Sequence, residues 1–149
     1  MDDLKVTQVT DGLTVSPQPR PEDFPLLAAR GVTLIVNNRP DGEEPGQLPA
    51  AEAAKLAAAN GMGYRHIPVK LPDLSDDDIR KFAEALAWSE GPVHAHCRTG
   101  LRSVTLWVID QVESGQLSLG QAQATIQSIG FDPKPALAWL SAHHVGSPA

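Results

Sequence analysis

The sequence predicts an α/β fold in three layers, a mostly parallel central sheet with helices on both faces. Three observations lead there. Val32-Thr33-Leu34-Ile35-Val36 and Val93-His94-Ala95-His96 are short runs of the kind found in strands covered on both sides. Stretches with a helical apolar stripe lie between and after them. Strand and helix alternate through the middle of the chain, and that pattern favours parallel strands joined by crossover helices.

Lys5 to Val9 and Leu13 to Ser16 alternate β-branched and polar residues around Asp11-Gly12, the pattern of a short hairpin. Pro17, Pro19 and Pro21 then oppose helix and keep the chain extended. Glu22 to Arg30 reads as a short helix, with Phe24, Leu27 and Ala28 on one side, Pro25 tolerated in its first turn and Gly31 ending it. After the Val32–Val36 strand, Arg39-Pro40-Asp41-Gly42 forms a turn.

Ala50 to Asn60 is alanine-rich and helical, stopped by Gly61, and Tyr64 to Val69 is the next strand. Ser75 is an N-cap with Asp78 three residues on; Ile79, Phe82, Ala83 and Leu86 form the buried stripe that follows. Gly91-Pro92 breaks the chain before the Val93–His96 strand. A helix from about Arg102 buries Val104, Trp107, Val108 and Val112. Two further helical stretches close the chain, one patterned by Leu119, Ala122, Ile126 and Ile129 and one by Leu137 and Leu140. Trp88, Trp107 and Trp139 all fall on helices and read as packing residues.

The 149 residues form one domain, 1–149, with no internal repeat and no dividing linker. Hydrophobic residues at 42% and charged residues at 20% are the balance of a soluble globular chain. No apolar run approaches the ~20 residues that span a bilayer. The start, Met1-Asp2-Asp3-Leu4-Lys5, opens with acid and does not read as a secretory signal. One cysteine forms no internal disulfide, so a reducing, cytoplasmic setting is expected. A net charge of −6 argues against nucleic acid, whose binders need a basic face. Arg98 and Arg102 flank Thr99-Gly100-Leu101, a local cationic pair suited to a small anion.

Chemistry concentrates in Cys97-Arg98-Thr99-Gly100-Leu101-Arg102-Ser103. Cys97 stands where a buried strand ends and a helix is about to start, the edge of an open α/β sheet where ligands bind. Backbone N–H groups of a tight loop and of a helix N-terminus make a concave anion site there. Gly100 permits the turn, Arg102 offers parallel donors to an oxyanion, and Ser103 or Thr99 can hydrogen-bond the sulfur or a leaving group. The same field favours a thiolate over the ordinary free cysteine of pKa about 8.5. Cys97 is therefore the expected nucleophile. A structural cysteine would have apolar neighbours, and these neighbours are polar.

Other polar residues have plainer readings. His94 and His96 share a strand face; too close together for a closed zinc site, they read as a satisfied core residue and a loop-orienting hydrogen-bond partner respectively. His143 and His144 suit a helix C-terminus. Arg39, Asp41 and Glu43 follow a strand and line the pocket rim, or Arg39 pairs with a loop carboxylate. No metal or organic cofactor is expected.

Two families share the cysteine-loop design. Tyrosine and dual-specificity phosphatases carry His-Cys-x-x-Gly-x-x-Arg-Ser/Thr, with five residues between Cys and Arg; rhodaneses carry Cys-Arg-x-Gly-x-Arg, with four. Cys97 to Arg102 resembles the rhodanese form, and Ser103 stands where the phosphatase arginine would be. The rest of the chain resembles the phosphatase side. Thr14-Val15-Ser16-Pro17-Gln18-Pro19, Val36-Asn37-Asn38-Arg39-Pro40-Asp41-Gly42-Glu43, His66-Ile67-Pro68-Val69 and the cysteine loop occur in this order in the phosphatase-like domain of beta-lactamase-hydrolase-like proteins, a family also described as sulfur transferases. The match runs from about Leu4 into the C-terminal helices.

The resemblance implies a cysteine-phosphatase-like scaffold with a loop of rhodanese length. On loop length, sulfur transfer is the expected chemistry: Cys97 takes sulfane sulfur from thiosulfate or a persulfide and passes it to a thiol acceptor. A persulfide dioxygenase, fused to or encoded beside some members, is an implied partner. The alternative is a cysteine-dependent phosphatase, for which Asp73 in Leu71-Pro72-Asp73-Leu74 is the candidate general acid; otherwise Asp73 is a solvated loop acid. A non-catalytic anion-sensing module is the third reading.

Overall fold

The structure is a computed structural model and describes residues 3–143. The elements run β1 (Thr7–Thr10), β2 (Leu13–Ser16), α1 (Asp23–Ala29), β3 (Leu34–Asn37), α2 (Ala50–Ala59), β4 (Gly63–His66), a single 3-10 turn (Leu71–Asp73), α3 (Asp76–Trp88), β5 (Val93–His96), α4 (Leu101–Glu113), α5 (Leu119–Ser128) and α6 (Lys134–His143). The five strands lie in the order β1-β2-β5-β3-β4. β1 is antiparallel to β2, and β2, β5, β3 and β4 are mutually parallel. The predicted mostly parallel sheet is correct, and β5 occupies its centre.

Side-chain alternation sorts the sheet faces. Ile35 packs with Phe24 and Leu27 of α1 and Ala53 and Ala57 of α2. Leu34, Val36, Val93 and Ala95 face the larger core, with Ile79 and Phe82 of α3, Val104 and Val108 of α4, Ile126 of α5 and Leu140 of α6. Helix α4 is buried nearly all round, including Leu106 and Ile109, because α3, α5 and α6 all pack on it. Among the described residues no helix is long and apolar enough to cross a membrane.

Local chemistry accounts for the element ends. Ser75 caps α3 in a reciprocal capping box with Asp78, as its spacing predicts. Ser118 and Gln121 do the same for α5. The expected strand Tyr64–Val69 leaves the ladder after His66, since β3 has ended at Asn37. It stays extended, with Ile67 N–H donating to Asn37 O at 2.8 Å and Val69 N–H to Asn38 O at 3.1 Å. Val32 belongs to the turn before β3, its N–H closing back on Leu27 O at 3.2 Å.

Trp107 and Trp139 are buried as expected, but Trp88 is not. It is 64% exposed at the end of α3, where the Arg65 guanidinium lies 4.8 Å from its ring centroid. His143 ends α6, stacked on Trp139 with ring centroids 3.7 Å apart and its Nδ1 at 2.8 Å from Trp139 O. The reading of His144 lies outside the described residues.

Candidate active site

Cys97 follows directly on β5, at the carboxyl edge of the sheet's central strand, and is 1% exposed. The chain then turns through Arg98 and Thr99, both exposed, to Gly100, the N-cap of α4. Gly100 has φ +100°, a left-handed conformation that a Cβ disfavours. A Cβ there would also meet Phe131 Cζ at 3.1 Å. This turn points the Gly100 N–H at Cys97 Sγ, 3.0 Å away. The first amides of α4 follow immediately, and a helix start leaves such donors without intrahelical acceptors.

The two hydroxyls proposed for the sulfur have other partners. Thr99 Oγ1 accepts from Leu101 N–H at 3.3 Å. Ser103 is fully buried and donates to Asn38 Oδ1 at 2.7 Å; Asn38 Nδ2 in turn donates to Ile67 O at 3.0 Å. Asn38 N–H donates to His96 O at 2.7 Å. Ser103 thus ties the first turn of α4 to the segment after β3. Sequence reasoning missed Asn38, although two successive asparagines after an apolar strand are a visible signal of buried amides.

Arg102 is held at its outer edge. Its Nη2 lies 3.0 Å from Glu43 Oε1 and 2.9 Å from Oε2, and its Nη1 donates to Val69 O at 3.4 Å. Glu43 also accepts from Arg39 Nε at 2.9 Å. Burial pushes the Glu43 carboxyl up, yet the hydrogen bonds from Arg102 and Arg39 outweigh it and hold the group below its ordinary value. Arg39 is 1% exposed, with Nη2 on Glu44 at 2.9 Å and Nη1 on Gln18 Oε1 at 3.2 Å. Of its two readings, the ion pair with a loop carboxylate is the one that the structure displays; it does not stand on the rim. Asp41 is not a pocket residue in this arrangement either: its Oδ1 accepts the Ala50 N–H at 2.8 Å and caps α2.

The histidines divide as follows. Ser16 Oγ–H donates to Pro17 O at 2.7 Å, so Ser16 accepts from His94 Nε2–H at 2.8 Å. That leaves His94 Nδ1 to accept from Thr14 Oγ1–H at 2.7 Å. His94 is the satisfied core residue that was expected. His96 does not orient the loop through its ring: neither ring nitrogen has a hydrogen-bond partner. Burial pushes His94 and His96 down to about 3 each, and only the Cys97 backbone opposes the shift at His96, without a well-formed hydrogen bond. Asp73 ends the 3-10 turn, exposed, four residues after the Val69 carbonyl that Arg102 touches.

A family profile for the phosphatase-like domain of beta-lactamase hydrolase-like proteins matches residues 3–114. The chain belongs to that family. The beta-lactamase hydrolase-like protein of Agrobacterium fabrum is 39% identical over 145 residues, which is 97% of this chain and 34% of the relative. The chain therefore spans about a third of the length of the curated relatives it matches. Among solved structures, a candidate phosphatase of Neisseria meningitidis superposes with a TM-score of 0.82 at 28% identity, covering 91% of this chain and 96% of that one. A candidate phosphatase of Shewanella putrefaciens shares the fold, with a TM-score of 0.75 at 23% identity over 97% of this chain and 91% of that one.

These findings overturn the expectation of rhodanese-type sulfur transfer. The family is phosphatase-like, and so is the fold of its structural neighbours. The physical reason lies in what the Cys-to-Arg count measures. It locates the guanidinium on the first turn of α4, whereas the donor that meets the sulfur, the Gly100 N–H, is aimed by the left-handed turn at Gly100 and is not counted by it. Loop length alone does not choose between sulfur and phosphorus.

Proposed function

We propose that this phosphatase-like domain is a cysteine-dependent phosphatase that hydrolyses a phosphate monoester through a phosphocysteine. The observation that carries the reading is Cys97 at the end of the central parallel strand, with the Gly100 N–H aimed at its sulfur and α4 beginning one residue later. Donors so placed favour negative charge on sulfur, and they surround the position of a transferring phosphoryl group.

In the first step the Cys97 thiolate forms a bond to phosphorus and the ester P–O bond breaks. The departing oxygen takes a proton from Asp73, the exposed acid on the loop after β4. In the second step water attacks phosphorus and gives its proton to the Asp73 carboxylate, the S–P bond breaks, and inorganic phosphate and the thiolate are released. The loop's backbone N–H groups not already bonded to Cys97 Sγ or Thr99 Oγ1 hold the equatorial oxygens, and Arg102 adds charge-assisted donors. Arg98, exposed on the loop, guides the anion in. A net charge of −6 supports a small phosphate monoester as substrate over a nucleic acid.

The test is turnover of p-nitrophenyl phosphate by the wild-type chain and by Cys97→Ser. The reading expects hydrolysis by the former and loss of at least about a thousandfold in the latter. No hydrolysis by the wild type, or hydrolysis untouched by the substitution, contradicts it.

A further inference from the structure

Glu43 sits beside the loop that must receive an anion, and on charge alone it belongs elsewhere. A carboxylate near an oxyanion site repels the ligand, more strongly in a shielded site than in bulk water. Yet both Glu43 oxygens lie within 3.0 Å of Arg102 Nη2, and its Oε1 also accepts from Arg39 Nε. Arg39 is almost fully buried and anchored further by Glu44 and Gln18. A buried arginine with three side-chain partners is a fixed point. The Arg102 side chain, 17% exposed on the first turn of α4, is a flexible one by nature.

We propose that Glu43, rooted on Arg39, is a positioning residue that fixes the Arg102 guanidinium for its oxyanion. The inference rests on the phosphatase reading of the loop. Glu43 takes Nη2 and the Val69 carbonyl takes Nη1, so Nε–H and the remaining Nη protons stay available to a phosphoryl oxygen. Without Glu43 the guanidinium must lose its rotamer freedom each time a ligand binds. The carboxylate acts through Arg102 and does not itself touch substrate.

Positioning and repulsion predict opposite signs. Glu43→Gln removes the negative charge and replaces one acceptor oxygen by an NH2 that cannot accept from either arginine. Repulsion relieved would tighten anion binding; positioning lost weakens it. The experiment compares wild type, Glu43→Gln and Glu43→Asp, each checked for an unchanged melting transition. Inorganic phosphate is titrated for its protection of Cys97 against iodoacetamide, and kcat and KM are measured with p-nitrophenyl phosphate. Phosphate affinity is expected to fall about tenfold in Glu43→Gln, the loss of one charge-assisted bond, with partial recovery in Glu43→Asp. Unchanged or tighter phosphate binding in Glu43→Gln overturns the proposal, as does an absence of protection in the wild type. If Glu43→Gln weakens phosphate binding but the wild type turns over no ester, the positioning role stands and the phosphatase reading fails.

Discussion

The Gly100 N–H and the Cys97 sulfur face each other across 3.0 Å, and the left-handed φ of +100° at Gly100 makes that approach possible. A side chain at this position is opposed twice, by backbone conformation and by Phe131. Gly100→Ala should therefore cost roughly 1–3 kcal/mol of stability. Because the turn also aims the donor, Cys97 alkylation and ester turnover should both slow. Urea unfolding and an iodoacetamide time course measure the two effects; a neutral substitution would mean that the turn does not set the sulfur's environment.

Asp73→Asn separates a proton donor from a solvated loop acid. A donor matters most when the leaving oxygen is basic, so kcat should fall by about a hundredfold or more for an alkyl phosphate and much less for p-nitrophenyl phosphate. Equal, small effects on both substrates would return Asp73 to the role of an ordinary loop acid.

His94 and His96 give the fold an acid sensitivity. Both rings are neutral in the folded chain, pushed down to about 3 by burial, while the unfolded chain binds a proton at each near pH 6.5. Their contribution is complete above about pH 6.5 and is lost as pH falls toward 3, by up to about 1.4 kcal/mol per pH unit for each ring. Urea unfolding at pH 7.5 and 5.5 should show about 2–3 kcal/mol less stability at the lower pH. A fall of about half that size would mean that one ring is charged inside the fold, and a flat profile that both are.

Ser103→Ala leaves the buried Asn38 Oδ1 without the hydroxyl donor it now has. The expected cost is about 1–3 kcal/mol of stability, read by urea unfolding. The hydroxyl is bonded to Asn38 and not to the sulfur, so the rate of Cys97 alkylation should change little. A large change in that rate with stability intact would place Ser103 on the thiol instead.

The layers and the place of Cys97 at the end of a buried strand were legible in the sequence because they depend on local pattern. Apolar runs gave β3 and β5, Ser75 and Asp78 gave the start of α3, and the period of two along β5 put His94 and His96 on one face. Contacts across long sequence distances were not legible. Thr14 and Ser16 reach His94 only because β2 lies beside β5 in register, and Glu43 reaches Arg102 across 59 residues. Trp88 was misplaced because it ends α3, where Arg65 of the edge strand meets its ring. The choice between sulfur and phosphorus is not legible in the Cys-to-Arg count, which places Arg102 on α4 but does not report how the Gly100 N–H meets the sulfur.

The central claim is that Cys97 bonds to phosphorus. Intact-mass analysis of the chain, acid-quenched within milliseconds of mixing with p-nitrophenyl phosphate, tests it most directly. The account predicts one phosphoryl group per chain, mapped to Cys97 and absent in Cys97→Ser. Ester hydrolysis with Cys97 unmodified at every quench time, together with full activity in Cys97→Ser, would contradict it.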